Sequence, residues 1–225
     1  MHERKAFIMK KENKKNFLWS VGLLFAFAIW TVLISFVDVK EIGPNGSAVG
    51  FSAVNEFFHK LTGTNMLLYT VTDWMGLVPV FVAFGFAVLG LAEWIKRKNL
   101  LKVDFNLFVL GGFYIATICG YILFEMYPIN HRPVLINGYL EASYPSSTTL
   151  LVLCVMPTAM MQFKNRIKNK TVKNCVLFII ALFSIFMVVG RLISGVHWIT
   201  DIIGGILLSA GLVMLYYSVC NCKSK

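Results

Sequence analysis

Six long apolar segments constrain the fold of this chain more than any other feature. They occupy residues 17–37, 74–95, 105–124, 146–163, 175–189 and 199–220. Most approach the roughly 20 residues that a helix needs to cross a bilayer. The mean hydropathy is +0.71 and only 14% of the residues are charged, against about 25% in soluble domains. The sequence therefore predicts an all-α, polytopic membrane protein: a six-transmembrane-helix bundle that forms a single domain over residues 1–225.

The distribution of basic residues predicts how these helices are oriented. Of the 21 lysines and arginines, all but Lys40, Lys60, Arg132 and Arg191 lie in the two terminal segments and in the second and fourth connecting loops. By the positive-inside rule, both termini are cytoplasmic and the loops with Arg132 and Arg191 face outward. A net charge of +10 spread in this way is typical of anchors at anionic lipid headgroups. We therefore expect membrane lipid, and no nucleic acid, as a partner; short loops are compatible with a bacterial plasma membrane.

Three ionisable residues lie together between the last two apolar segments. They are Arg191, His197 and Asp201. His197 and Asp201 are four residues apart and share one face of a helix, where an aspartate orients an imidazole and stabilises its cationic form. Arg191 offers a planar fork of donors suited to phosphate. A polar pair that pins two helices is the alternative for His197 and Asp201, and headgroup contact is the alternative for the arginine.

Two other outward segments carry residues of the same chemistry. Arg132 precedes Pro133, which favours an extended backbone at the arginine. Farther along, Tyr144-Pro145-Ser146 leads into the fourth apolar segment, where a serine or threonine is expected to cap a helix and leave its first N–H groups free for an anion. The three segments together predict a phosphate site on the outer side of the membrane.

The three segments resemble the signature of the type 2 phosphatidic acid phosphatase family, which is related to the vanadium haloperoxidases. The pattern is K-x6-R-P, then P-S-G-H, then S-R-x5-H-x3-D. The matching residues are Arg132-Pro133, Pro145-Ser146, and Arg191, His197 and Asp201 in register.

This resemblance implies a mechanism without metal or other cofactor. His197 would attack phosphorus and become a phosphohistidine, and Asp201 would orient it. The phosphate oxygens would be bound by Arg132, Arg191, Ser146, Ser147 and Thr148. Water would then release phosphate.

The chain departs from the family pattern at three places. Glu125 stands at the lysine position of the first motif, Ser147-Thr148 at the Gly-His positions of the second, and Gly190 at the serine position of the third. The resemblance implies that the missing histidine is the general acid, and a threonine hydroxyl is far too weak an acid to replace it. His131 and Glu125 are the candidates for a compensating acid. The alternative for His131 is a solvated loop residue, and the alternative for Glu125 is a partner of Arg132.

The long outward segment before residue 74 has its own pattern. Phe51, Val54, Phe58 and Leu61 have the spacing of an amphipathic helix. Such a helix is expected either to lie on the outer leaflet and guide a lipid tail or to cover the bundle.

These observations predict a membrane lipid phosphatase or diphosphatase acting at the outer face. A lipid phosphotransferase, in which an acceptor hydroxyl replaces water, is one alternative. A phosphate-binding pseudoenzyme without turnover is the other.

The absent histidine predicts a substrate preference. General acid catalysis contributes about 10²- to 10⁴-fold, and its loss costs most when the leaving group is an alkoxide. A phosphate leaving group needs less protonation, so a polyprenyl diphosphate should react faster than phosphatidic acid. Phosphate release by the purified protein from both lipids measures this, and faster release from phosphatidic acid would refute it.

Overall fold

The regular elements of the chain are helices. The computed structural model describes residues 2–99 and 102–222. The helices are α1 (His2–Phe36), α2 (Ser52–Thr62), α3 (Met66–Met75), α4 (Leu77–Arg97), α5 (Phe105–Met126), α6 (Ser147–Arg166), α7 (Lys170–Ile193) and α8 (Ile199–Cys222), with a short 3₁₀ turn at Pro44–Gly46. The prediction of an all-α membrane protein is confirmed.

Each predicted apolar segment coincides with helical structure to within one or two residues, and the segment 74–95 covers the end of α3 and most of α4. Within the described residues, five stretches are long and apolar enough to span a bilayer: Glu12–Phe36, Met66–Arg97, Phe105–Met126, Lys170–Ile193 and Ile199–Cys222. The second stretch combines α3 and α4, so its helical structure begins eight residues before the predicted start at residue 74. The remaining predicted span, residues 146–163, corresponds to α6, and the six-span count stays a prediction.

Helix α6 is less apolar because protein surrounds it. It packs against α4, α5, α7 and α8, and its side chains pair with theirs. The Gln162 amide donates a 2.6 Å hydrogen bond to the Tyr216 hydroxyl, and the Thr158 hydroxyl lies 3.1 Å from that of Tyr114. Polar groups are tolerated at membrane depth where other helices satisfy them, so a central helix needs less apolar sequence than a lipid-facing one.

The two ends of the bundle differ in charge, as the loop pattern predicts. One end collects basic residues, and there Arg166 at the end of α6 pairs at 3.1 Å with Asp104 at the start of α5. The other end holds Arg132, Arg191 and His197. Six basic residues belong to parts of the chain whose backbone or side chains the structure does not describe: Arg4, Lys5, Lys10, Lys11, Lys223 and Lys225. The membrane face that each end meets stays a prediction.

Helix α2 lies in the segment expected to be amphipathic, and its buried residues are the polar Ser52 and Asn55. Val54 and Leu61 are exposed, whereas Asn55 is fully buried. The Asn55 amide nitrogen donates to the Thr200 hydroxyl at 3.0 Å and to the Gly50 carbonyl at 2.7 Å, and its oxygen accepts from the Thr200 N–H at 3.3 Å. These bonds attach α2 to the first turn of α8, next to Asp201.

Replacement of Asn55 by leucine should destabilise the protein by about 2 kcal/mol, because the buried Thr200 N–H and hydroxyl lose a partner. Thermal unfolding in detergent measures the effect. Glu56→Gln, at the exposed neighbouring position, is the control and should leave the midpoint unchanged. Equal midpoints for Asn55→Leu and Glu56→Gln would contradict the assigned role.

Candidate active site

Two arginines converge on one nitrogen of His197. The Nε2 atom of this buried imidazole lies 3.4 Å from Arg132 Nη1 and 3.2 Å from Arg191 Nη2. Arginine can only donate hydrogen bonds, so Nε2 must present its lone pair and the proton of the neutral ring resides on Nδ1. Nε2 is therefore the nitrogen available as a nucleophile, and the two guanidiniums mark the place where an anion would bind.

Asp201 lies behind the imidazole and is held in place by three partners. Its Oδ2 atom is 3.7 Å from His197 Nδ1, an ion-pair distance that is too long for a hydrogen bond. Oδ2 also accepts from the Trp198 N–H at 2.9 Å, which closes the first turn of α8 as a capping interaction. The Asn130 amide donates to Oδ1 at 3.4 Å. Asp201 thus faces Nδ1 while also starting the helix that carries it.

An extended hairpin delivers Arg132 to the site. The Arg132 N–H donates to the Glu141 carbonyl at 3.0 Å, and the Ser143 N–H donates to the Asn130 carbonyl at 2.9 Å. At its tip, Asn137 and Gly138 both have positive φ angles, 49° and 83°, as a two-residue hairpin turn requires. The extended backbone expected at Arg132 is observed, and the Asn-Gly pair is the sequence signal that would have predicted the hairpin.

The second motif lies at the start of α6. Ser146 is the N-cap residue, and its hydroxyl accepts from the Thr149 N–H at 3.5 Å, as its capping role predicts. The Ser146 N–H in turn donates to the Asp201 carbonyl at 3.1 Å. This bond joins the first turns of α6 and α8, so the half-buried Ser147 and Thr148 lie at a helix N-terminus beside the histidine segment.

Helix α3 supplies two residues that the sequence reasoning missed. The ring centroid of Tyr69 lies 5.0 Å from Arg191 Cζ and 5.8 Å from Arg132 Cζ, within cation–π range of both. Asp73 Oδ1 lies 3.6 Å from Arg191 Nη1. Tyr69 and Asp73 are four residues apart on one helix face, but the helix was expected to begin only at residue 74. Asn130 and Glu141 were missed for a similar reason, because the hairpin was not predicted.

The departure at Gly190 has a packing explanation. A Cβ atom at this position would come within 2.8 Å of the Thr72 Cγ2 atom on α3. Close approach also occurs at Gly195, where φ is +66° and a Cβ would lie 1.7 Å from the Gly63 carbonyl oxygen. The Asn65 N–H donates to the Ser194 carbonyl at 2.9 Å. The end of α7 and the turn after it therefore pack closely against α3 and the residues just before it.

The contacts of the two candidates for a compensating acid are with groups other than His197. His131 contributes its backbone carbonyl, which accepts from the Trp198 indole N–H at 2.8 Å; neighbouring side chains of an extended segment point to opposite faces. Glu125 is exposed at the end of α5 and lines a small cavity with Ser147. Among the described residues, no hydrogen bond or ion pair joins either side chain to His197. Their catalytic role stays a prediction.

Burial and positive neighbours determine the charge of His197. Desolvation lowers the pKa of this imidazole well below its ordinary 6.5, and the charges of Arg132 and Arg191 lower it further. The neutral form therefore dominates at pH 7. A neutral imidazole with a free Nε2 lone pair is the form that can attack phosphorus.

Fold and site define a class: a polytopic helical membrane protein with a buried Arg-Arg-His-Asp centre at one end of its bundle. The sequence model of the PAP2 superfamily matches residues 130–223, a stretch that contains both arginines, the start of α6 and the His–Asp pair. Over these residues the chain is similar to the PAP2 superfamily, which confirms the resemblance to type 2 phosphatidic acid phosphatases for this part of the sequence.

A solved structure shares the overall fold of this chain. It is described as the crystal structure of the first transmembrane PAP2 type phosphatidylglycerolphosphate phosphatase from Bacillus subtilis. The similarity covers 92% of this chain and 97% of that chain, with a TM-score of 0.60 and 20% sequence identity. No curated protein sequence matches this chain.

The lowered pKa predicts the state of His197 directly. At pH 6.5 the ring should be neutral with its proton on Nδ1, and it should become protonated only as the pH falls well below 6.5. Nitrogen-15 NMR of the protein in detergent measures both charge and tautomer, and a His197→Gln spectrum assigns the signal among the four histidines. Half-protonation at pH 6.5, or a proton on Nε2 of the neutral ring, would contradict the prediction.

Proposed function

We propose that the chain is a membrane lipid phosphatase or diphosphatase that acts at the outer face of a bacterial plasma membrane. One observation carries the proposal: Arg132 Nη1 and Arg191 Nη2 both approach Nε2 of His197 within 3.4 Å. A phosphoryl group held between these guanidiniums would lie against the nucleophilic nitrogen. Similarity to the PAP2 superfamily over residues 130–223 supports phosphatase chemistry in general.

The first step forms a phosphohistidine. His197 Nε2 donates its lone pair to phosphorus, and the bond from phosphorus to the leaving oxygen breaks with its electron pair. The arginines neutralise the charge on the remaining phosphate oxygens, which is the main requirement in phosphoryl transfer. The Ser146 hydroxyl, together with the N–H and hydroxyl groups of Ser147 and Thr148 at the start of α6, supplies donors to the same oxygens.

The second step releases inorganic phosphate. Water attacks phosphorus, the bond from phosphorus to Nε2 breaks, and the water proton passes to solvent. Phosphorylation places positive charge on the imidazole, and the Asp201 carboxylate facing Nδ1 stabilises it. The hydrogen bonds from the Trp198 N–H and the Asn130 amide keep the Asp201 carboxylate in position through both steps.

The chemistry of the leaving group favours a lipid diphosphate. Thr148 has no acidic proton to give at neutral pH, so an alkoxide would leave poorly, whereas a phosphate leaving group is already a weak base. His131 and Glu125 stay candidates for an acid that would extend activity to monoesters. The same Thr148 is the observation that favours the second candidate, a phosphate-binding pseudoenzyme.

The deciding experiment is phosphate release from a panel of lipid monophosphates and diphosphates, run beside trapping of phosphoenzyme. The wild type should release phosphate and yield an acid-labile, base-stable phosphohistidine after quenching. His197→Ala should lose at least about a thousandfold in rate and all label. Glu56→Gln, an exposed change on α2, should match the wild type.

Two results would reject the enzymatic proposal. Phosphate release that survives in His197→Ala would assign the activity to another group or to a contaminant. Tight binding of lipid phosphate without release or label would establish the pseudoenzyme instead. A phosphohistidine that transfers to an added lipid alcohol faster than to water would establish a phosphotransferase.

A further inference from the structure

Each arginine of the site already has a carboxylate partner. Glu141 Oε2 lies 3.0 Å from Arg132 Nε, and Asp73 Oδ1 lies 3.6 Å from Arg191 Nη1. In both pairs the carboxylate binds a different guanidinium nitrogen from the one that faces His197. The carboxylates therefore leave the nucleophile open while they offset the positive charge beside it.

The carboxylates lie nearer to solvent than the arginines. The side chains of Asp73 and Glu141 are 56% and 39% exposed, against 1% for Arg191 and 9% for Arg132. The carboxylates are therefore the outer members of the two ion pairs. We call Asp73 and Glu141 the carboxylate rim.

The rim removes most of the net attraction for a free anion. The two rim carboxylates offset the charges of the two arginines, the neutral His197 adds none, and the Asp201 carboxylate behind the ring adds no positive charge. Tyr69 lies within cation–π distance of both guanidiniums. Each guanidinium also contacts a rim carboxylate and the imidazole. Phosphate can be recognised by the donors that point at it, but it gains little from long-range attraction.

Apolar surface lies next to the rim. Leu67 and Trp74, on the same helix as Asp73, are 76% and 70% exposed. A substrate whose phosphate is attached to a lipid tail can gain affinity from this surface and from the bilayer itself. A soluble phosphate cannot.

We propose that the carboxylate rim selects membrane-anchored phosphates over soluble ones. It weakens binding of the phosphate group alone, so that affinity must come from the lipid, and it speeds release of inorganic phosphate. This inference rests on the proposed function and specifies the substrate class as phosphates held in a membrane.

The test compares Asp73→Asn, Glu141→Gln and the double variant, which keep side-chain size and remove charge. Binding of inorganic phosphate is measured by thermal stabilisation of the protein in detergent, without any turnover. Each single change should tighten binding about two- to fivefold, as expected for a partly exposed charge, and the double change about tenfold. Glu56→Gln, which removes an exposed carboxylate paired with Lys60, is the matched control and should bind like the wild type.

A second readout tests exclusion of soluble phosphate. The inhibition constant of inorganic phosphate in lipid phosphate hydrolysis should fall in the rim variants, because the phosphate group alone then binds more tightly. Unchanged or weaker phosphate binding in the double variant would overturn the proposal. A large loss of kcat in Asp73→Asn without tighter binding would also overturn it, because Asp73 would then be a catalytic residue.

The same measurements separate this proposal from the proposed function. Tighter phosphate binding in the rim variants, together with no hydrolysis of any lipid phosphate by any variant, would support the rim and reject only the enzyme. Normal hydrolysis by the wild type with no change in phosphate binding would reject only the rim.

Discussion

The burial of two arginines beside one histidine is the constraint on which the rest of the site depends. Arg191 is almost fully buried, and an unpaired charge removed from water is very costly. The molecule offsets this cost with a carboxylate for each guanidinium and with the ring of Tyr69 against both. The same two charges keep His197 neutral, so the groups that would bind phosphate also maintain the imidazole in its nucleophilic form.

Several segments must meet for this arrangement to exist. The hairpin delivers Arg132, the end of α7 delivers Arg191, and the first turn of α8 carries Asp201. The Ser146–Asp201 backbone bond joins α6 to α8, and α3 packs onto the end of α7. Gly190 belongs to this packing, because a larger residue there would collide with Thr72. Gly190, a departure from the family pattern, therefore allows the close packing of α3, the helix that carries Asp73.

Sequence reasoning predicted the site best where the chemistry is local. Asp201 faces Nδ1 of His197 at 3.7 Å, although His197 precedes α8 and the expected shared helix face is wrong. Ser146 caps a helix because it directly precedes an apolar segment. The start of the second long helix was placed too late, since Met66–Trp74 contains polar residues that hide its apolar periodicity. Tyr69 and Asp73 were missed with it. The hairpin carried a readable signal in Asn137-Gly138, whereas the pairing of Glu141 with Arg132 follows only from the register of that hairpin.

The sequence by itself determined the membrane class, the long helices, and the identity of the arginines, histidine and aspartate at one end of the bundle. Apolar length, charge distribution and residue spacing are properties of the chain alone, and lipid enforces them wherever the chain folds. Only the tertiary structure decided which nitrogen of His197 faces the arginines, that α3 contributes to the site, and that both guanidiniums are already paired. Those features depend on side chains from distant segments meeting within a few ångströms, and no local pattern encodes such a distance.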